Sequence, residues 1–247
     1  MMQTIKSEFR KLLTIRSTYI ITTLVILFVA FIAFYVEGWR LKPFELHESG
    51  QLASDTYGAL GLMLFGAVIA ILFMTHEYRY NTIMYSLTSS NSRSKVLASK
   101  ILVISCYAIF LTIIIGVLSP VATYLGVHAH GHVLVSQTIY YKDVIWRSLF
   151  YGWAYAMLGL LLATLIRVQV GAIVALFAIP AAIEPLLSQL LNKNAVYLPF
   201  TSLSQLVGDG ALGGGSLAPG RAALVFCGYL VVGWAVAWVL FLRRDAN

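Results

Sequence analysis

The sequence predicts an all-α polytopic membrane protein with six transmembrane helices, an amphipathic interfacial helix ahead of them and a re-entrant segment before the last span. Three observations predict it. Hydrophobic residues make up 60% of the chain and charged residues 11%, against roughly a quarter charged in a soluble domain. The apolar residues gather into six runs long enough, or nearly so, to cross a bilayer. Lysine and arginine concentrate in alternate connections, as membrane insertion requires. The formal charge of +7 would point to nucleic acid only on a folded soluble surface, and here the basic residues lie between apolar runs, so no nucleic-acid partner is expected.

The elements follow in order. Residues 4–16 place Ile5, Phe9, Leu12 and Leu13 on one side of a helix, with Lys6, Arg10 and Lys11 elsewhere around it, which suits a helix lying in the headgroup layer. A first span over 19–36 carries no charge, and because this run is long enough to stay in the bilayer no cleavable signal peptide is expected. A polar loop over 37–55 leads to a second span, 56–75, whose Gly58, Gly61, Gly66, Ala67 and Ala70 favour close helix packing. Residues 77–100 form the one long polar and basic insertion between two strongly apolar segments. A third span, 101–125, holds Pro120 near its far end, where a kink or stop is tolerable.

A wet loop runs to Arg147, and the fourth span, 149–166, pairs Gly152 with Ala156 and Gly159 with Ala163 at helix-contact spacing. The short turn at Arg167 makes an antiparallel hairpin with the fifth span, 168–191, which is interrupted by Pro180, Glu184 and Pro185. Residues 192–221 are glycine-rich, and the sixth span covers 222–242. The whole chain, 1–247, is expected to be one membrane domain. With the N-terminus cytoplasmic, the inside segments hold Lys6, Arg10, Lys11, Arg16, Arg79, Arg93, Lys95, Lys100, Arg167, Arg243 and Arg244, most of the 17 basic residues. That orientation satisfies the positive-inside rule and places both termini in the cytoplasm of a plasma-membrane protein.

Glu184 is the one charge assigned to a span. A carboxyl at bilayer depth normally faces protein, a cavity or a partner. Two roles stand side by side for it: a neutral carboxyl donating to a carbonyl freed by Pro180 or Pro185, and a gate residue on a translocation path, facing the protein interior or a dimer interface. His128, His130 and His132 alternate, so an extended segment would present them together, but no fourth ligand accompanies them and a solvent-facing loop explains them equally; no metal site is assigned. No histidine lies inside a span to clamp a haem, and Cys106 and Cys227 sit in apolar runs with no disulfide or thiolate-metal pattern. A G-x-S-x-G elbow and an intramembrane histidine are both missing, so no catalytic residue is assigned.

Six spans, an N-terminal amphipathic helix, and a second-to-third loop carrying Glu77, Asn81-Thr82, Ser92-Arg93 and Lys100 together resemble the ABC transporter permeases of the type-2 class. That family commonly closes its second span with an acidic residue, follows it with Gly-Thr, and places a small residue or proline before Arg, with Lys seven residues later. Here Asn81 stands at the glycine and Ser92 at the small-residue position. The segment Tyr197-Leu198-Pro199-Phe200 with Ser202 to Leu206 resembles the apolar segment before the last span of these permeases, and since it is too short to cross the bilayer it is expected to form re-entrant or interfacial helices. The resemblance implies an exporter subunit that pairs with a second copy, or a homologous permease, and with a cytoplasmic ABC ATPase subunit. This chain has no G-x-x-x-x-G-K-[ST] loop, so ATP and Mg would be bound by that partner and no cofactor by the chain itself.

The loop would then be a coupling helix. Its expected contacts with the ATPase subunit are Glu77, Asn81, Thr82, Ile83, Met84, Leu87, Arg93, Lys95 and Lys100: the apolar edge Ile83, Met84 and Leu87 inserts into a groove, and Arg93 and Lys95 meet acidic groups. The alternative is a membrane-anchoring or sensory subunit, or a lipid-acting enzyme, without a path of its own.

Overall fold

A computed structural model describes residues 2–40, 50–80, 82, 84, 92–135, 141–208 and 216–243, and every regular element among them is helical. Helix α1 (Met2–Thr14) lies ahead of the first span. It ends where Ile15 turns extended (φ −74°, ψ 115°), and α2 (Arg16–Trp39) starts at the next residue. The remaining long helices are α3 (Gln51–Arg79), α4 (Arg93–Ala129), α5 (Tyr141–Ile166), α6 (Gln169–Tyr197) and α8 (Pro219–Arg243), with the short α7 (Pro199–Ser204) between the last two. Six of these helices are long and apolar enough to cross a membrane.

Helices α3 and α5 are the most enclosed and form the centre of the bundle; α2, α6 and α8 expose broad apolar faces such as Leu24, Leu27, Val174, Leu186, Leu224 and Val231, the surface that hydrocarbon requires. The small-residue pairs set the central contact. A Cβ on Gly159 would stand 2.4 Å from the backbone oxygen of Ala67, so α3 and α5 touch backbone to backbone, while Gly152 leaves room for the side chain of Thr112 of α4. A second close approach joins Gly38 of α2 to Gly126 of α4. Polar bonds stitch the same helices: Thr22 and Tyr107 share a hydrogen bond of 2.6 Å, and the Trp153 indole donates to Ser105 at 3.1 Å.

Four particulars depart from the sequence expectations. Most of the long helices run past the apolar runs at one or both ends, because the polar residues flanking those runs continue the backbone hydrogen bonding; Glu37, expected in a loop, lies in a π-helical end of α2 over Ile32–Trp39. Asp55 is buried in the first turns of α3, so Glu184 is not the sole acidic residue within the long helices. Helix α4 continues through Pro120 to Ala129. The interruption in α6 is a π-turn over Ile179–Ile183 rather than a break, and Pro180, which has no N–H to donate, lies within it.

Candidate functional site

Residues at the end of the bundle that carries α1 converge on a cluster of four charges, of which Glu8, Glu77 and Lys100 are buried and Lys11 is partly exposed. The amphipathic turn of α1 buries Glu8 and Leu12 against the N-terminal end of α4 and leaves Phe9 and Leu13 exposed beside the basic face. Lys100, in the second turn of α4, has no exposed surface; its ammonium lies 2.6 Å from Glu8 Oε2 and 3.0 Å from Glu77 Oε1 near the end of α3. Lys11 closes the ring, 2.5 Å from Glu8 and 2.7 Å from Glu77. Two carboxylates and two ammonium groups balance, and the Phe73 ring covers Lys100 at 4.5 Å from its centroid. Burial alone would lower the Lys11 pKa; the hydrogen bonds and negative charges of Glu77 and Glu8 outweigh it and hold that pKa above the ordinary lysine value.

Glu77 and Lys100, expected among the contacts of the α3–α4 connection with a partner, have side chains that are enclosed and turned towards Glu8 and Lys11. Sequence reasoning missed Glu8 and Lys11 as their partners. The available signal was Glu8 itself, an acidic residue one turn before Leu12 on the apolar side of a basic helix.

The other loop residues fall differently. Asn81, Ile83 and Leu87 lie outside the described residues. Thr82 is exposed and donates its backbone N–H to the Glu77 carbonyl at 2.9 Å; Met84 is 49% exposed, a large apolar side chain on a polar connection. Arg93 opens α4 and donates to the Leu242 carbonyl at 3.3 Å, joining the loop to the end of α8, and Lys95 is exposed. So α1, α3, α4 and α8 meet around this connection.

At the opposite end, Glu184 is 2% exposed and faces the interior of its own chain. Its carboxylate accepts three hydrogen bonds, from the Phe200 N–H at 2.6 Å, the Thr201 N–H at 2.8 Å and the Thr201 hydroxyl at 2.7 Å. It therefore caps the first turn of α7, whose initial amides lack intrahelical acceptors. The expectation that Glu184 donates to a carbonyl freed by a proline is not met: every partner it has here is a donor. Phe200, Leu203 and Leu206 bury the rest of α7, while Gln205 bonds the Val196 carbonyl at 3.3 Å and accepts from Leu217 N–H at 2.6 Å, tying the segment to the approach to α8.

The three histidines do not share one face of an extended segment. His128 belongs to the end of α4 and stacks on Tyr124, and His130 lies in the turn that follows, between Trp39 and His132 with ring centroids 4.6 and 5.0 Å away. Among the described residues no group of three His, Cys, Asp or Glu side chains is placed to hold a metal ion.

Comparison with protein families matches residues 4–183 to the family described as ABC-2 family transporter protein, from α1 to the residue before Glu184 and over more than half the chain. No curated protein matches the chain.

Proposed function

Since the chain belongs to the ABC-2 family of transporter proteins and is a multi-pass membrane protein, we propose that it is the permease subunit of an ABC exporter whose ATP is hydrolysed, with Mg, by a separate cytoplasmic subunit. Two permeases, identical or homologous, enclose the path, and the connection between α3 and α4 is the surface on which the ATPase subunit acts. The observation that carries this reading is the cluster of Glu8, Lys11, Glu77 and Lys100. It ties both ends of the α3–α4 connection to α1, so a push on that connection moves α1, α3 and α4 as one body. A low-dielectric site makes such pairs strong once assembled, because separating them leaves buried charge uncompensated.

In this account Thr82, Met84, Arg93 and Lys95 meet the ATPase subunit directly, with Asn81, Ile83 and Leu87 in the same connection. Glu77 and Lys100 act behind them as positioning residues. Glu184 holds α7 at the outer end of the path, so that its loss impairs transport more than assembly. Arg93→Glu and Met84→Asp should each reduce recovery of the ATPase subunit in co-purification with the tagged permease, Met84→Asp by removing an apolar anchor and Arg93→Glu by reversing charge. Undiminished recovery with both variants would reject the docking surface.

A further inference from the structure

We infer that a cleft between the ends of α3 and the α5–α6 turn binds the phosphate of an anionic phospholipid from the inner leaflet. The leaflet rests on the orientation proposed above; the site itself is read from its residues. The cleft has a volume of about 490 Å³, and Tyr78, Arg79, Arg167, Val168, Gln169 and Val170 line it. Helix α3 ends at Arg79, α5 ends at Ile166 and α6 begins at Gln169, so three apolar helices stop at this one level. That is where hydrocarbon gives way to headgroups.

The lining holds both kinds of group an amphiphile requires: Val168 and Val170, 62% and 69% exposed, offer apolar surface to an acyl chain, and Arg79 and Arg167 bring two guanidinium groups. Each is steadied over an aromatic ring, Arg79 at 5.6 Å from the Tyr80 centroid and Arg167 at 5.3 Å from that of Tyr78. A guanidinium matches a phosphodiester in charge and in fork geometry, and basic pockets between transmembrane helices on the cytoplasmic side bind anionic headgroups. The first turn of α6 borders the same cleft, and Val168 gives it no side-chain cap.

Arg167 adds a conformational argument. Its φ of 61° is left-handed, a region that glycine and asparagine enter at less cost than arginine. An arginine there carries backbone strain, and placing a cation in the cleft is the return for it.

The test uses the full chain, purified without other subunits and placed in nanodiscs of phosphatidylcholine with or without phosphatidylglycerol. Thermal unfolding is followed in both, and lipids retained after transfer to detergent are counted by native mass spectrometry. The wild-type chain should retain phosphatidylglycerol in preference to phosphatidylcholine and unfold at higher temperature when it is present. Arg79→Gln with Arg167→Asn should weaken that preference about tenfold or more, since each basic residue near an anionic surface contributes on the order of 1 kcal/mol. Arg167→Asn alone keeps a residue suited to the left-handed turn: its unfolding temperature in pure phosphatidylcholine should be unchanged or raised, with part of the phosphatidylglycerol shift gone. Lys142→Gln, at the opposite end of the bundle, should change nothing.

Wild-type phosphatidylglycerol retention in the double variant would overturn the inference. So would loss of ATPase-subunit recovery in that variant with lipid retention intact, which would make the cleft a protein contact instead. Because lipid binding is measured on the chain alone, its failure leaves the docking surface at Met84 and Arg93 untouched, and failure of that docking leaves the lipid result standing.

Discussion

Lys100→Met is expected to destabilise the protein by about 3–5 kcal/mol, the cost of leaving a buried ion pair with one member. The methionine fills the space beside Phe73 with little change in volume, so the loss is electrostatic. The buried carboxylates of Glu8 and Glu77 would then share the single, partly exposed ammonium of Lys11. A compensating change separates charge from packing. Adding Glu8→Gln to Lys100→Met leaves Lys11 paired with Glu77 and restores neutrality, so the double variant should recover a substantial part of the lost unfolding temperature. Thermal unfolding in one detergent, followed by tryptophan fluorescence, reads both. A Lys100→Met protein within about 0.5 kcal/mol of wild type, the ordinary range for surface changes, would mean that the cluster does not hold α1 to the bundle.

Glu184→Ala should release α7 from the end of α6. It strands the Phe200 and Thr201 amides and the Thr201 hydroxyl, all buried, and each stranded donor costs about 1–3 kcal/mol. Glu184→Gln keeps one acceptor oxygen but turns an NH₂ group towards a donor, so its effect should be smaller and of the same sign. Hydrogen–deuterium exchange over residues 199–206 measures the release locally: fast exchange in the alanine variant, intermediate in the glutamine variant, protection in wild type. Thr201→Val, which removes the hydroxyl alone, should stay close to wild type. If exchange there is the same in Glu184→Ala as in wild type, the cap has no hold on α7. Proposed transport adds a second readout, since complex yield should fall less than substrate-stimulated ATPase activity.

The spans were legible because hydrocarbon imposes one demand on every residue of a crossing helix, and that demand appears in composition. Their ends were less legible. Arg16, Arg79 and Arg93 belong to helices, yet hydropathy stops before them, because backbone hydrogen bonding continues into the headgroup layer while apolar composition does not. The pairing of Glu8 with Lys100 spans 92 residues, and a charge on an amphipathic helix gives no sign of whether it faces water or a distant partner. Glu184 stands out in the sequence as a charge within a span, but its partners are mainly backbone amides, which every sequence contains. The nearer clue was Leu198-Pro199, a helix start whose first amides need an acceptor. The alternation of His128, His130 and His132 misled because α4 outruns its apolar stretch and takes the first of them into a helix.

The central claim is that the α3–α4 connection is where the ATPase subunit engages. Site-directed cross-linking tests it most directly. A single cysteine at Met84, in a chain whose Cys106 and Cys227 are replaced by alanine, would be joined by a short thiol-to-amine reagent to the co-expressed ATP-binding subunit in membranes, with a cysteine at Val133 beyond the far end of α4 as the comparison. The account predicts a permease–ATPase adduct from Met84→Cys, with a yield that changes when ATP is added, and none from Val133→Cys. An adduct from Val133→Cys and none from Met84→Cys would place the ATPase subunit at the other end of the bundle and contradict the account.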